Sequence, residues 1–228
     1  MANRAFPFLT GEWYHCFNRG IDKRRVFSDK RDYERFLMLL LACNNVAPVH
    51  VSNFEQGNKS KTFADLVEIG RESGLVDIGV YSLMPTHYHM LLQERTDGGI
   101  SLFMQKIGTA YTMYFNLRNG RVGSLFQGTF KAKRIDTDQY LTRVVSYIHA
   151  NHAELREPKW KTGIMRDKRS LKEFLLAYRY SSLIDYSAPP RPQSQILNKE
   201  ALLKVAEVRP SMGQMFEEAR IYARDHEE

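Results

Sequence analysis

The sequence predicts an α+β fold of the ferredoxin-like, split βαβ kind: an antiparallel sheet with helices on one face, followed by a C-terminal helical extension. Three observations predict it. Strand-like aromatic and β-branched runs alternate with helix-period runs in the order β-α-β-β-α-β, the order of that motif. The second and third strand runs are separated only by Pro85-Thr86, too short for a crossover, so they form an antiparallel hairpin. A hydrophobic content of 43% with 12% aromatic residues supplies a packed core, which excludes a disordered chain.

The elements follow in order. Glu12–Asn18 is aromatic-rich and reads as the first strand, and residues 18–25 form a basic loop. Ser28 is placed to cap a helix from Asp29 to about Asn45, with Asp29 and Asp32 suiting its positive end. Residues 46–61 are polar and irregular, and a short helix is expected over 62–73. Leu75–Met84 alternates as a second strand, and His87–Glu94 is the third. Ile100, Phe103, Met104, Ile107, Tyr111 and Tyr114 recur at three and four, so Ser101–Leu117 is a helix. After turn signals at Asn119-Gly120 and Gly123, Ser124–Ile135 reads as a basic last strand and Asp138–Leu155 as another helix. Leu171–Tyr180 is expected to be helical with Ser170 as its cap, and Ala188–Ser194 to be an extended, proline-rich linker. The expected division is a domain over residues 1–160, a helical extension over 161–187, and a linker with a charged helical tail over 188–228.

The 33 basic residues outnumber the 26 acidic ones, a net charge of +7 that favours a polyanionic partner, nucleic acid before membrane. The longest apolar run, Phe36–Cys43, is far short of a membrane span, and the N-terminus has no charged-then-apolar signal design. Cys16 and Cys43 have no metal-ligand spacing and fit a reducing, cytoplasmic setting.

His87 and His89 carry the most specific chemistry. Side chains two apart on a strand share a face, so the two imidazoles project together while Tyr88 points the other way. Two neutral imidazoles are half of a metal site. On the helix over 138–155, Tyr140, Val144, Tyr147 and Asn151 lie three or four apart on one stripe; such a stripe commonly packs into the core, and it also lets a phenol and a carboxamide face one site. His15, on the first strand, is within reach of the site, but reads first as a hydrogen-bonded sheet histidine. Two basic groups, Asn18, Arg19, Lys23, Arg24 and Arg25 in the first loop and Lys131, Lys133 and Arg134 in the last strand, are interleaved with aromatics in the way that suits single-stranded nucleic acid.

Several stretches together resemble the HUH single-strand transposases, most closely their REP-associated tyrosine transposase branch. They are Tyr14-His15-Cys16-Phe17-Asn18-Arg19-Gly20, then Met84–Leu92 around the histidine pair, then Tyr111, Tyr114, Phe115 and Asn116. Gly123–Ala132 follows, with Gln127 inside it, and last come Asp138–Leu141 and Tyr147-Ile148-His149-Ala150-Asn151. His152 stands where members of the family carry proline. The resemblance implies a transposase-like endonuclease and strand transferase for single-stranded, hairpin-bearing DNA. Tyr147 matches the nucleophile, which would form a 5′-phosphotyrosine and free a 3′-hydroxyl. His87, His89 and Asn151 match the ligands of a divalent ion, Mg2+ or Mn2+, and imidazole suits manganese better. Tyr140 is a rival nucleophile without the matching Asn spacing. Gln127 joins the two basic groups as an expected DNA contact. The resemblance implies a dimer or a monomer, so a homodimer is possible, and the lack of a long apolar run implies no membrane partner. The competing readings are a non-catalytic nucleic-acid-binding module and a metal-dependent phosphodiesterase with water as nucleophile.

Overall fold

The computed structural model describes residues 7–46, 74–206 and 211–226. Its sheet has four strands: β1 (Trp13–Arg19), β2 (Val76–Met84), β3 (His87–Glu94) and β4 (Lys131–Arg134). Their order is β2-β3-β1-β4, with every neighbouring pair antiparallel. β3 thus lies between β1 and β2, which is the split βαβ arrangement expected from the element order.

One face of the sheet carries Tyr14, Cys16, Tyr88 and Met90, all buried. It is covered by α1 (Lys30–Ala42) and α2 (Gly99–Arg118), whose Phe36 and Tyr111 rings pack 5.1 Å apart, with Phe36 5.0 Å from Tyr88. These are the two helices expected on one face. Asp29, not Ser28, caps α1: its carboxylate accepts from the Arg31 and Asp32 amides, while the Ser28 amide donates to Asp32 in a reciprocal bond at 2.8 Å. The carboxylate wins the cap position because it meets the helix amides as a charged acceptor. The helix expected over 62–73 lies outside the described residues.

The opposite face carries His15, His87 and His89. It is covered by α3 (Asp138–Ala150) and by α7 (Met212–His226), since Tyr147 and Tyr222 pack against the His15 ring. Between them in sequence come α4 (Lys168–Ala177), α5 (Leu183–Ser187) and α6 (Lys199–Leu203). A second apolar cluster, with Trp160, Leu171, Leu175, Phe216 and Ala219, joins α7 and α4 to the end of α3.

Several boundaries differ from the sequence reading. β4 is shorter than the expected 124–135, because Gly128 takes a left-handed φ of 66° and turns residues 124–130 into a loop. α3 ends at Ala150, and Asn151–Leu155 tightens into a 3-10 turn. Asp167, not Ser170, caps α4, its carboxylate accepting from the Ser170 amide at 2.9 Å.

The proline-rich segment is not a free linker. Its Arg191 pairs with buried Asp185 at 2.7 Å and also donates to the Tyr81 hydroxyl and the Ser181 carbonyl. Residues 180–198 run along the outer edge of β2, where the Leu83 amide donates to Tyr180 O, Ser182 N to Tyr81 O, and Asn198 N to Ile78 O, each at 2.9 Å. Covering the edge removes a template for pairing with other chains.

Candidate active site

The site is built on alternation. Register pairs Arg19 with His87 and Phe17 with His89 across β1 and β3, and His15 with Lys133 and Phe17 with Lys131 across β1 and β4. Residues opposite one another share a face, so His15, His87, His89, Lys131 and Lys133 project together. Arg134, expected with the two lysines, is turned to the other face by the same two-residue period and pairs with Glu12 at 3.4 Å.

The imidazoles of His87 and His89 stand 5.1 Å apart at 86° and are nearly buried. His87 Nδ1 meets the Thr86 hydroxyl at 2.9 Å, and its Nε2 meets Asn151 Oδ1 at 3.2 Å. His89 Nδ1 meets His15 Nε2 at 2.9 Å, which leaves Nε2 as the nitrogen that can take a ligand. Burial, with Arg19 nearby, pushes the His87 pKa down to about 4. Burial, with His15 and His87 alongside, holds His89 well below the usual range. Both rings are therefore neutral near pH 7, the state in which imidazole binds metals.

α3 brings Tyr147 to this pair. Its half-buried ring lies edge-on to His89 at 5.4 Å, 6.1 Å from the His15 ring and 4.8 Å from Tyr222. Asn151, one turn later, reaches His87 because the 3-10 turn keeps it at the end of the same stripe. His152 does not disturb this: it is buried, stacks on Tyr178 at 4.5 Å and bonds the Leu175 carbonyl at 3.2 Å. Tyr140 does not line the site. Its phenol instead shares a hydrogen bond with Tyr222.

These groups line a cleft of about 210 Å³. Besides the histidines, Tyr147 and Asn151, its walls include Asn18, Arg19, Gln127, Lys131 and Lys133, residues expected from the sequence as DNA contacts. Lys23, Arg24 and Arg25 are not among them. Arg24 turns back to the Ile21 carbonyl and to Asp22, and the preceding Asp22 and Lys23 are both held at a left-handed φ of 55°. Gly20 starts this loop because a side chain there would run into the Arg24 carbonyl, 2.5 Å from a Cβ.

Sequence reasoning missed Lys161, Glu154 and Tyr222, which also line the cleft. Lys161 Nζ lies 5.8 Å from the Tyr147 ring centre and pairs with Glu154 at 3.6 Å. Nothing in the local sequence marks Lys161. Met215, Ala219, Tyr222 and Ala223 do recur at helical spacing and are all buried, so the tail held a readable packing face.

Among the described residues, no three His, Cys, Asp or Glu side chains are grouped to hold a metal. The third donor would have to be the Asn151 carboxamide, and the geometry fits that role. Two neutral imidazoles and an amide oxygen form a nitrogen and oxygen donor set that suits a divalent ion, and His87 Nε2 already meets Asn151 Oδ1 at 3.2 Å. The Asn151 Nδ2 atom is buried without a partner, so the amide owes its orientation to His87.

The family model described as IS200-like transposase matches residues 12–151. No curated protein matches. Among solved structures, one described as a REP-associated tyrosine transposase bound to a REP hairpin is 14% identical, with 83% of this chain and 89% of that chain covered and a TM-score of 0.47. Among the described residues, no helix is long and apolar enough to cross a membrane.

Proposed function

Because this chain belongs to the IS200-like transposase family, we propose that it cuts and rejoins single-stranded DNA, with Tyr147 as the nucleophile. The observation that carries the reading is the meeting of three groups in one basic cleft: the Tyr147 phenol ring, the neutral pair His87 and His89, and Asn151. A core tyrosine has no need of two unprotonated imidazoles and a carboxamide beside it.

In this reading the Tyr147 oxygen forms a bond to phosphorus while the bond to the 3′-oxygen breaks. The phenol gives up its proton, and the departing oxygen takes one to become a 3′-hydroxyl. The 5′-phosphotyrosine keeps the energy of the phosphodiester, so a 3′-hydroxyl from another strand can reverse the step. A free phenol has a pKa near 10, so the site must favour its ionised form, and Lys161 is the cation beside the ring. Arg19, Lys131 and Lys133 bind and orient the phosphates. His87, His89 and Asn151 would hold a divalent ion, Mn2+ or Mg2+, which supplies charge neutralisation at the non-bridging phosphate oxygens. With an ion on Nε2, His87 would carry its proton on Nδ1, which faces Thr86 Oγ1 at 2.9 Å. One chain supplies every group named, so a homodimer is not needed to complete the site.

The test is incubation with hairpin-bearing single-stranded DNA and Mn2+, followed by a denaturing gel. The wild type should give a covalent protein–DNA adduct, and duplex DNA should be a poor substrate. Cut DNA without any adduct would instead indicate a phosphodiesterase that uses water.

A further inference from the structure

We infer that His15 and Tyr222 are positioning residues that fix the orientation and tautomer of His89, so that its Nε2 presents a lone pair to the cleft. The inference rests on the metal-site reading proposed above and extends it to residues that the family resemblance does not assign.

The chain of contacts is continuous and buried. His15 is a diagonal neighbour of His89 across β1 and β3, and its Nε2 lies 2.9 Å from His89 Nδ1. His15 Nδ1 lies 2.7 Å from the Tyr222 hydroxyl, brought from a position 207 residues away by α7. The Tyr222 hydroxyl in turn shares a hydrogen bond with Tyr140. His15 is 2% exposed and Tyr222 3%.

Neutral imidazoles and phenols in series pass their hydrogen bonds in one direction or the other. In the outward direction His89 Nδ1–H donates to His15, His15 Nδ1–H donates to Tyr222, and the Tyr222 O–H donates to Tyr140. His89 Nε2 is then unprotonated and can bind a cation. In the inward direction His89 would carry its proton on Nε2 and could not. Only the outward direction leaves Nε2 free for an ion, so a metal held by His87, His89 and Asn151 requires it. The same chain gives Tyr140 a place at its outer end, away from the phosphate. Outer partners of this kind orient metal-binding histidines and raise metal affinity by about ten- to a hundredfold.

The experiment uses the full chain without DNA. Mn2+ binding is measured by the loss of its free EPR signal for the wild type, His87→Ala, His15→Leu, His15→Gln and Tyr222→Phe, with thermal melting to check folding. His15→Leu should weaken Mn2+ binding about ten- to a hundredfold. Tyr222→Phe, which keeps the ring, should weaken it less. His15→Gln, whose amide oxygen can accept from His89, should recover much of the loss. Nitrogen-15 spectra of the metal-free wild type should show His89 protonated on Nδ1. Mn2+ binding that requires His87 but is unchanged in folded Tyr222→Phe and His15→Leu overturns the inference alone, as does a proton on His89 Nε2. Should His15→Leu fail to fold, Tyr222→Phe and the spectra still decide. Mn2+ binding indifferent to His87→Ala overturns the metal reading and this inference together.

Discussion

His87 and His89 show how much chemistry a single strand can specify. Their shared face follows from the two-residue period alone, and the sequence made it legible without any long-range contact. Their neutrality does not follow from the sequence, because it comes from burial under α3 and α7. For the same reason His15 reads locally as an ordinary sheet histidine, whereas the structure sets it 2.9 Å from His89. Replacing both His87 and His89 by Ala should remove DNA cleavage, a loss of at least about a thousandfold if they hold the ion that stabilises the reacting phosphate. Binding of hairpin DNA should change by only a few-fold, because neutral rings give no phosphate charge contact. Single-turnover cleavage and gel-shift assays on the same preparation check both parts.

At the scale of elements, each helix owes its place to a few polar anchors. Buried Asp32 in α1 receives the Ser28 amide, the Tyr114 hydroxyl and the Arg118 guanidinium, and so ties α1 to α2. Asp32→Ala would leave the buried Tyr114 hydroxyl without its acceptor and should cost about 1–3 kcal/mol, read as a shift of the urea midpoint. The end of α3 carries an acid-sensitive pair. Burial lowers His152 to about 4 and His149 to about 3. An unfolded histidine titrates near 6.5, so the unfolded chain binds protons first, and stability should be fullest above about pH 6.5 and fall as pH drops toward 4. For His152 alone the loss approaches about 3 kcal/mol. Melting temperatures across that range check the trend, and His149→Gln should flatten it. Helix and strand cores were legible from periodicity at Ile100 to Tyr114 and at the β2–β3 hairpin. The caps at Asp29 and Asp167 and the early end of α3 were not, because competing polar residues sit within one turn and local geometry chooses among them.

On the scale of the molecule, the sheet divides labour between its faces. One face, with Tyr14, Cys16 and Tyr88, builds the core, and the other, with its histidines and lysines, builds the cleft. The excess positive charge was readable from composition, but its placement was not: Lys131 and Lys133 enter the cleft while Arg134 leaves it, by alternation along β4. Lys131→Ala and Lys133→Ala should each reduce the salt dependence of single-strand binding by about 0.7 in the slope of log K against log salt. The C-terminal segment was legible as helical, but its role was not, since its bonds to β2 span about a hundred residues of chain. Arg191→Ala should strand buried Asp185 and destabilise the fold by about 3–5 kcal/mol. The central claim, that the phenol of residue 147 becomes bonded to DNA, is tested most directly by mass spectrometry. The adduct formed on hairpin-bearing single-stranded DNA would be digested with nuclease and protease, and the modified peptide sequenced. A nucleotide phosphate on Tyr147 is the predicted result; the same mass on Tyr140, on Tyr222 or on a residue outside the cleft would contradict the account.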